Sequence, residues 1–186
     1  VEINPGYLSY IKTNKTISSI LNDDRISLYI DDGRRWLRKP EKRNFYDLII
    51  INTTFHWRSY STNLLSKEMM GLVKSSLAQG GIYAFNTTGS KDAHFTAASV
   101  FKESYRWSNF VYSSDGDFIK NQDEIVKTIL EQYEVWPYDD LNREMLQNIF
   151  GAKNFISISD ELENSSRDLE VITDDNMIVE YKYGLK

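Results

Sequence analysis

Cysteine is absent from all 186 residues, so the chain has no disulfide framework, no thiolate metal site and no cysteine nucleophile. Histidine is scarce as well. With only His56 and His94 available, a histidine-based metal centre lacks ligands, and no metal is expected. No apolar run approaches the roughly 20 residues that span a bilayer, and the opening residues do not read as a signal peptide. There is no cationic excess either. Lys and Arg number 22 against 27 Asp and Glu, a formal charge of −5, which argues against a nucleic-acid partner. The densest basic stretch, Arg34 to Arg43, reads as a solvated helix face and turn. What remains, 41% apolar and 26% charged, is the composition of an ordinary globular domain, and the length suits one domain over 1–186.

One stretch organises the rest. The apolar run Leu48-Ile49-Ile50-Ile51 stops at Asn52-Thr53-Thr54 and is followed by Phe55-His56-Trp57-Arg58, then by Thr62-Asn63. A short all-apolar run rich in β-branched residues predicts a strand buried on both faces of a parallel sheet. Polar groups just past the carboxyl end of such a strand lie where open α/β sheets place ligands; the alternative is an ordinary strand-to-helix loop. A second run, Ile82-Tyr83-Ala84-Phe85, ends the same way, in Asn86-Thr87-Thr88.

Apolar periodicity sets out the other elements. Val1 to Asn4 reads as a strand end broken by Pro5-Gly6, with Tyr7, Leu8 and Ile11 on a short helix after it. Ile26, Leu28 and Ile30 alternate with Ser27 and Tyr29, predicting a strand that stops at Asp31-Asp32-Gly33. A helix bearing Trp36 and Leu37 ends by Pro40. Leu64 to Leu77 has helical spacing, closed by Gly80-Gly81 as a left-handed cap. Phe95 to Phe101 predicts a helix, Arg106 to Tyr112 a strand, and Ile125 to Tyr133 a helix. Leu141 to Ile149 predicts a further helix and Met177 to Tyr181 a last strand, while 156–173 has no clear pattern. Strands alternating with helices imply a mostly parallel α/β sheet with helices on both faces.

Glu2, Asp32 and Asn52 thus end successive predicted strands. In a doubly wound sheet such ends line up along one edge. A carboxylate ending the second strand accepts both hydroxyl protons of a ribose, and one ending the third suits an adenine amino group. An Asp-Gly after a strand is, by itself, more often a turn. Three such ends in register point to a nucleoside ligand.

The residues at these ends resemble a known family. Val1-Glu2-Ile3-Asn4-Pro5, Asp31-Asp32-Gly33-Arg34, Tyr46-Asp47-Leu48-Ile49-Ile50 and Leu77-Ala78-Gln79-Gly80-Gly81 are similar to the spermidine synthases, the polyamine aminopropyltransferases. Asn52-Thr53-Thr54-Phe55-His56-Trp57-Arg58, Thr62-Asn63-Leu64-Leu65-Ser66 and Asn86-Thr87-Thr88-Gly89-Ser90 resemble the subgroup fused to bacterial multi-spanning membrane proteins. The resemblance is strong to about residue 115 and thin from there to about 170. It implies a Rossmann-like S-adenosylmethionine-dependent transferase sheet with helices on both faces, lacking the first strand. It also implies a cofactor, S-adenosylmethionine or its decarboxylated form. Glu2 would hold the ribose hydroxyls and Asp32, beside Asp31 and with Gly33 allowing close approach, would meet the adenine. Thr53, Thr54, Trp57, Arg58, Asn63 and Asn86 are the implied substrate-side groups. A cytoplasmic domain is implied, joined to the bacterial inner membrane only through the rest of its parent protein, with a homodimer allowed.

Two departures qualify this picture. The glycine-rich loop of related dinucleotide folds precedes the acidic residue by roughly 20 positions, which puts it before Glu2 and outside this chain. The chain opens on Val1 and reads as part of a longer polypeptide. Second, the family's catalytic carboxylates are replaced by Asn52 and Phe55. An amide accepts a hydrogen bond but is no base, and phenylalanine cannot balance a polyamine's charge. His56 is then either a substitute base, with Arg58 binding an anionic group, or simply packed against Trp57. Three readings stay open: a transferase acting on another acceptor, a non-catalytic nucleoside-binding or regulatory domain, and a purely structural remnant.

Overall fold

The computed structural model describes residues 1–52, 62–132, 148–149, 151–165 and 168–176. The chain forms two units, Val1–Arg43 and Asn44–Lys186. In the first, helix α1 (Pro5–Thr13) begins with proline in its first turn and with the Asn4 side chain accepting from Gly6 N at 2.9 Å. Both features are favoured at helix starts, because proline has no amide hydrogen to orphan and Asn satisfies one that would be. Helix α2 (Gly33–Leu37) is capped in the same way by Asp32, whose Oδ1 accepts from Arg35 N at 2.7 Å. Behind it the Trp36 ring lies 4.3 Å from that of Tyr29, with Lys39 Nζ 3.9 Å from the indole centroid.

The expected strand over Ile26–Ile30 is not formed. A single parallel bridge joins Glu2 to Ile30, through Glu2 N to Tyr29 O at 2.9 Å and Asp31 N to Glu2 O at 3.1 Å. Ile26, Leu28, Tyr29 and Ile30 are exposed, so no packed face holds the segment in a longer ladder.

The second unit is built on a five-stranded sheet in the order β1-β2-β4-β3-β5. Strand β1 (Tyr46–Ile51) runs parallel to β2 (Leu77–Asn86), joined by helices α3 (Thr62–Leu65) and α4 (Lys67–Ser76). The other three pairings, among β2, β3 (Glu103–Trp107), β4 (Phe110–Ser114) and β5 (Ile156–Ser157), are antiparallel. The sheet is therefore mixed rather than mostly parallel. The single strand expected over Arg106–Tyr112 is a hairpin that reverses at Ser108-Asn109, with Ser108 at φ 54°. Two-residue hairpin turns select positive φ because the resulting twist matches that of the strands.

Two further differences follow from local chemistry. The predicted long helix is broken at Ser66, whose extended backbone and side-chain bond to Met69 N restart it as α4. Helix α4 ends at Ser76, with Leu77 as its cap, not at the glycine pair. Gly80 (φ 75°) and Gly81 instead shape a register shift at the start of β2, where a Cβ on Gly81 would meet Tyr46 O at 2.8 Å. Only glycine lets the two backbones approach so closely.

Strand β2 is buried on both faces, with Tyr83 and Phe85 stacked at 4.7 Å and Ala84 turned the other way. Leu65, Met69, Met70 and Val73 of α3 and α4 join the core, as do Ala93 and Ala97 of α5 (Lys91–Val100). Strand β1, expected to be buried on both faces, is an edge strand here. Leu48 is 51% and Ile50 62% exposed, because a paired neighbour lies on one side only.

Helix α6 (Gln122–Gln132) follows the hairpin, and α7 (Ile158–Glu163) is capped by Ser157. The segment after it, which had no readable pattern, is held by polar side chains. Ile172 is fully buried and its N donates to Thr96 Oγ1 at 2.9 Å, while Glu170 N donates to buried Asp92 at 3.0 Å. Of the helix expected over Leu141 to Ile149, positions 148–149 are helical and the rest lies outside the described residues, as does the strand expected at Met177–Tyr181.

Candidate functional site

Parallel pairing of β1 with β2 puts Ile51 beside Phe85, so the next residues, Asn52 and Asn86, emerge together at the carboxyl ends of the two strands. Asn86 Nδ2 donates to Asn52 Oδ1 at 3.0 Å, and Thr88 N donates to Asn86 Oδ1 at 2.9 Å. The second bond makes Oδ1 the acceptor and so fixes which end of the Asn86 amide faces Asn52. The result is a shelf of two neutral amides, Asn52 exposed and Asn86 half-buried. Both can donate and accept, and neither can serve as a base at neutral pH.

The turn beyond Asn86 is tight. Thr88 (φ 48°) and Gly89 (φ 85°) are both left-handed, and Ser90 then caps α5 by accepting from Ala93 N at 3.3 Å. Beneath the turn, fully buried Thr87 donates its backbone N to Asn109 O at 2.8 Å and accepts from Gly89 N at 3.3 Å. Its hydroxyl is 3.1 Å from His94 Nε2 and 3.1 Å from Asn109 O. On the far side of the imidazole, Nδ1 is 3.7 Å from Glu161 Oε2, and Glu161 is held by Arg106 Nε at 2.9 Å and Lys91 Nζ at 3.9 Å. Burial pushes the His94 pKa down to about 4; Glu161 opposes that shift, while Arg106 and Lys91 add to it.

The order hydroxyl, imidazole, carboxylate is that of a nucleophilic relay. Burial rules out that role here. Thr87 has no accessible surface and His94 only 2%, so no acyl substrate reaches the hydroxyl. The row instead supports the Asn86 turn from below. Sequence reading missed it, because nothing local ties His94 to a carboxylate so much later in the chain.

The other expected site residues divide between the two units. In the amino-terminal unit the Glu2–Ile30 bridge brings the backbone at Glu2 alongside that at Asp31. Asp31 is committed: Arg35 Nε donates to Oδ1 at 2.6 Å, Lys39 Nζ lies 3.4 Å from Oδ2, and these bonds, Arg35 first, hold its carboxyl below the ordinary range. Glu2 Oε1 accepts from Asn4 N at 2.7 Å and Asp32 Oδ1 caps α2, which leaves each carboxylate one oxygen with no hydrogen bond among the described residues. A Cβ at Gly33 would meet nothing within 4 Å. Asn63 lies exposed near the start of α3. Thr53, Thr54, His56, Trp57 and Arg58 lie outside the described residues.

Comparison with known proteins gives a consistent set. A family model described as the spermine/spermidine synthase domain matches residues 1–111. A polyamine aminopropyltransferase of Prochlorococcus marinus (strain MIT 9215) is 30% identical over 95 residues, covering 50% of this chain and 33% of that protein. The one from strain AS9601 is 32% identical over 95 residues, again 50% and 33%. The chain thus spans about a third of the length of these relatives. The spermidine synthase of Thermotoga maritima superposes with a TM-score of 0.59 at 20% identity, covering 81% of this chain and 55% of the other. At that identity the likeness shows the fold: a mixed α/β sheet flanked by helices, Rossmann-like in kind.

Proposed function

The chain belongs to the spermine/spermidine synthase domain family, and on that premise we propose that it is a transferase-type domain for an S-adenosyl compound, with an acceptor other than a polyamine. The observation that carries this reading is the Asn52–Asn86 amide shelf at the carboxyl ends of the parallel pair, where open α/β sheets place ligands. Members of the family take decarboxylated S-adenosylmethionine as aminopropyl donor. Within the amino-terminal unit, the spare oxygens of Glu2 and Asp32 suit that donor's nucleoside part, accepting from ribose hydroxyls and the adenine amine. The group would supply an electrophilic carbon next to its sulfonium. The chain's own residues would bind and orient it.

Asn52 and Phe55 stand where the family's two catalytic carboxylates are expected. Without them a cationic amine gains neither an ion-pair partner nor a base, so polyamine synthesis is disfavoured. His56 and Arg58 are the groups left to manage a proton and an anionic acceptor. The same neutrality of the Asn52–Asn86 pair favours a second reading, a non-catalytic nucleoside-binding or regulatory domain of a bacterial inner-membrane protein, facing the cytoplasm.

The open edge of β1, with Leu48 and Ile50 exposed, supports pairing of β1 with a further strand. The test is calorimetric titration of S-adenosylmethionine, its decarboxylated form and methylthioadenosine. It is run on this chain and on a version extended upstream in its parent protein. Binding by the extended form, weakened by Glu2→Ala, supports an adenosyl site; no binding by either folded form overturns it. Turnover with a panel of acceptors then separates the transferase from the sensor.

A further inference from the structure

Buried histidines that do no chemistry are costly to keep polar, and His94 is kept so. Its side chain is 97% covered, yet one ring nitrogen faces a hydroxyl and the other a carboxylate. The Thr87 hydroxyl donates its one proton to Asn109 O at 3.1 Å, so its oxygen accepts from His94 Nε2 at 3.1 Å, while Nδ1 faces the Glu161 carboxylate at 3.7 Å without a hydrogen bond. Thr87 directly follows Asn86, and the turn after it is left-handed at Thr88 and Gly89, a conformation that costs energy for threonine and persists only when its surroundings enforce it. Thr87 opens that turn and is held by Asn109 O, Gly89 N and His94.

We propose that His94, through its Nε2 contact with the Thr87 hydroxyl, is a positioning residue that fixes Thr87 and thereby sets the orientation of Asn86 on the Asn52–Asn86 shelf. The chain of contacts is continuous: His94 to Thr87 at 3.1 Å, and Thr87 by covalent connection to Asn86, whose Nδ2 meets Asn52 at 3.0 Å. Behind His94, Glu161 of α7 is held by Arg106 of β3 at 2.9 Å. The value of this inference for ligand binding rests on the shelf being a ligand site; its structural content does not.

The experiment compares the full chain with His94→Leu, His94→Gln and Thr87→Val. Each is read by NMR at the Asn86 side-chain amide and by methylthioadenosine titration of the extended protein. Leucine fills the space and removes both ring nitrogens, whereas glutamine retains an amide at comparable reach. His94→Leu and Thr87→Val are expected to shift the Asn86 amide resonances and speed their solvent exchange about tenfold, the effect of losing one anchoring hydrogen bond. His94→Gln should restore both toward the parent. A folded His94→Leu protein with unchanged Asn86 amide signals overturns the proposal. If that variant does not fold, Thr87→Val decides on the same readout. If the parent binds no nucleoside while Asn86 still responds, the ligand reading fails and the positioning role stands. If the parent binds and the affinity is the same in all variants, Asn86 orientation does not matter to the ligand, and the proposal fails at the shelf.

Discussion

Burial holds the His94 pKa near 4 against an ordinary 6.5, with Glu161 pulling it up and Arg106 and Lys91 pressing it down. A histidine whose folded pKa is depressed binds its proton more readily in the unfolded chain. Stability contributed by the neutral imidazole is therefore present at pH 7, is lost as pH falls from 6.5 toward 4, and changes no further below that. The shift corresponds to something on the order of 3 kcal/mol. Urea midpoints measured at several pH values should fall across this window, and His94→Gln should flatten most of the slope. An equally steep slope in that variant would assign the acid sensitivity to other groups. Tyr83 offers a second test at this scale. Its ring stacks on Phe85 at 4.7 Å, but its hydroxyl is buried with no hydrogen-bond partner among the described residues, and burial pushes its pKa far above the ordinary value. Tyr83→Phe keeps the ring and removes the orphan. Denaturant unfolding should show it about 1 kcal/mol more stable, and a loss of similar size would mean that the hydroxyl is satisfied.

At the scale of elements, Ser66 joins two pieces of structure that the sequence keeps far apart. Its Oγ accepts from Met69 N at 3.2 Å, capping α4, and donates to Asp174 Oδ1 at 2.5 Å. The same tail segment is bound through Lys67 N to Ile172 O at 2.8 Å. Ser66→Ala removes a cap and leaves Asp174 without that donor, a cost of about 1–2 kcal/mol by thermal unfolding. Ser66→Asp, which caps but repels Asp174, should recover little of it. What could be read from sequence divides along the same lines. The Asn-Thr-Thr endings of β1 and β2 were legible because a short apolar run that stops at polar residues is a local signal, and the parallel register then brings Asn52 to Asn86. The hairpin at Ser108-Asn109 was hidden by aromatic residues that run on through it. The glycine pair was misplaced because a left-handed glycine serves a helix cap and a strand irregularity equally well. The tail segment and the His94–Glu161 contact were invisible, since their polar partners are fixed by tertiary packing with no periodicity to announce them.

Taken as a whole, the chain distributes its apolar burial unevenly, and this sets how its parts should open. Among the described residues, Leu37 is the one buried apolar side chain of the 1–43 unit, while Val1, Ile3, Tyr7, Tyr10, Ile26 and Ile30 are exposed. Its helices are short and its sheet contact is one bridge. The 44–186 unit encloses Tyr83, Phe85, Met69, Met70, Val73 and Ile172 almost completely. Regions with few buried apolar contacts open at low free energy, whereas core strands open only with global unfolding. Native-state hydrogen exchange on this chain should therefore find α1 and α2 amides opening within about 2 kcal/mol of the closed state. Those of Tyr83 to Phe85 and of α5 should follow the full unfolding free energy. An upstream extension that supplies a partner for the exposed edge of β1 should raise protection at Leu48 and Ile50 and leave the already protected β2 amides tied to global unfolding. If the 1–43 amides proved as slow as those of β2, their exposed apolar surface would have to be covered in solution, and self-association measured by sedimentation would be the place to look for the cover.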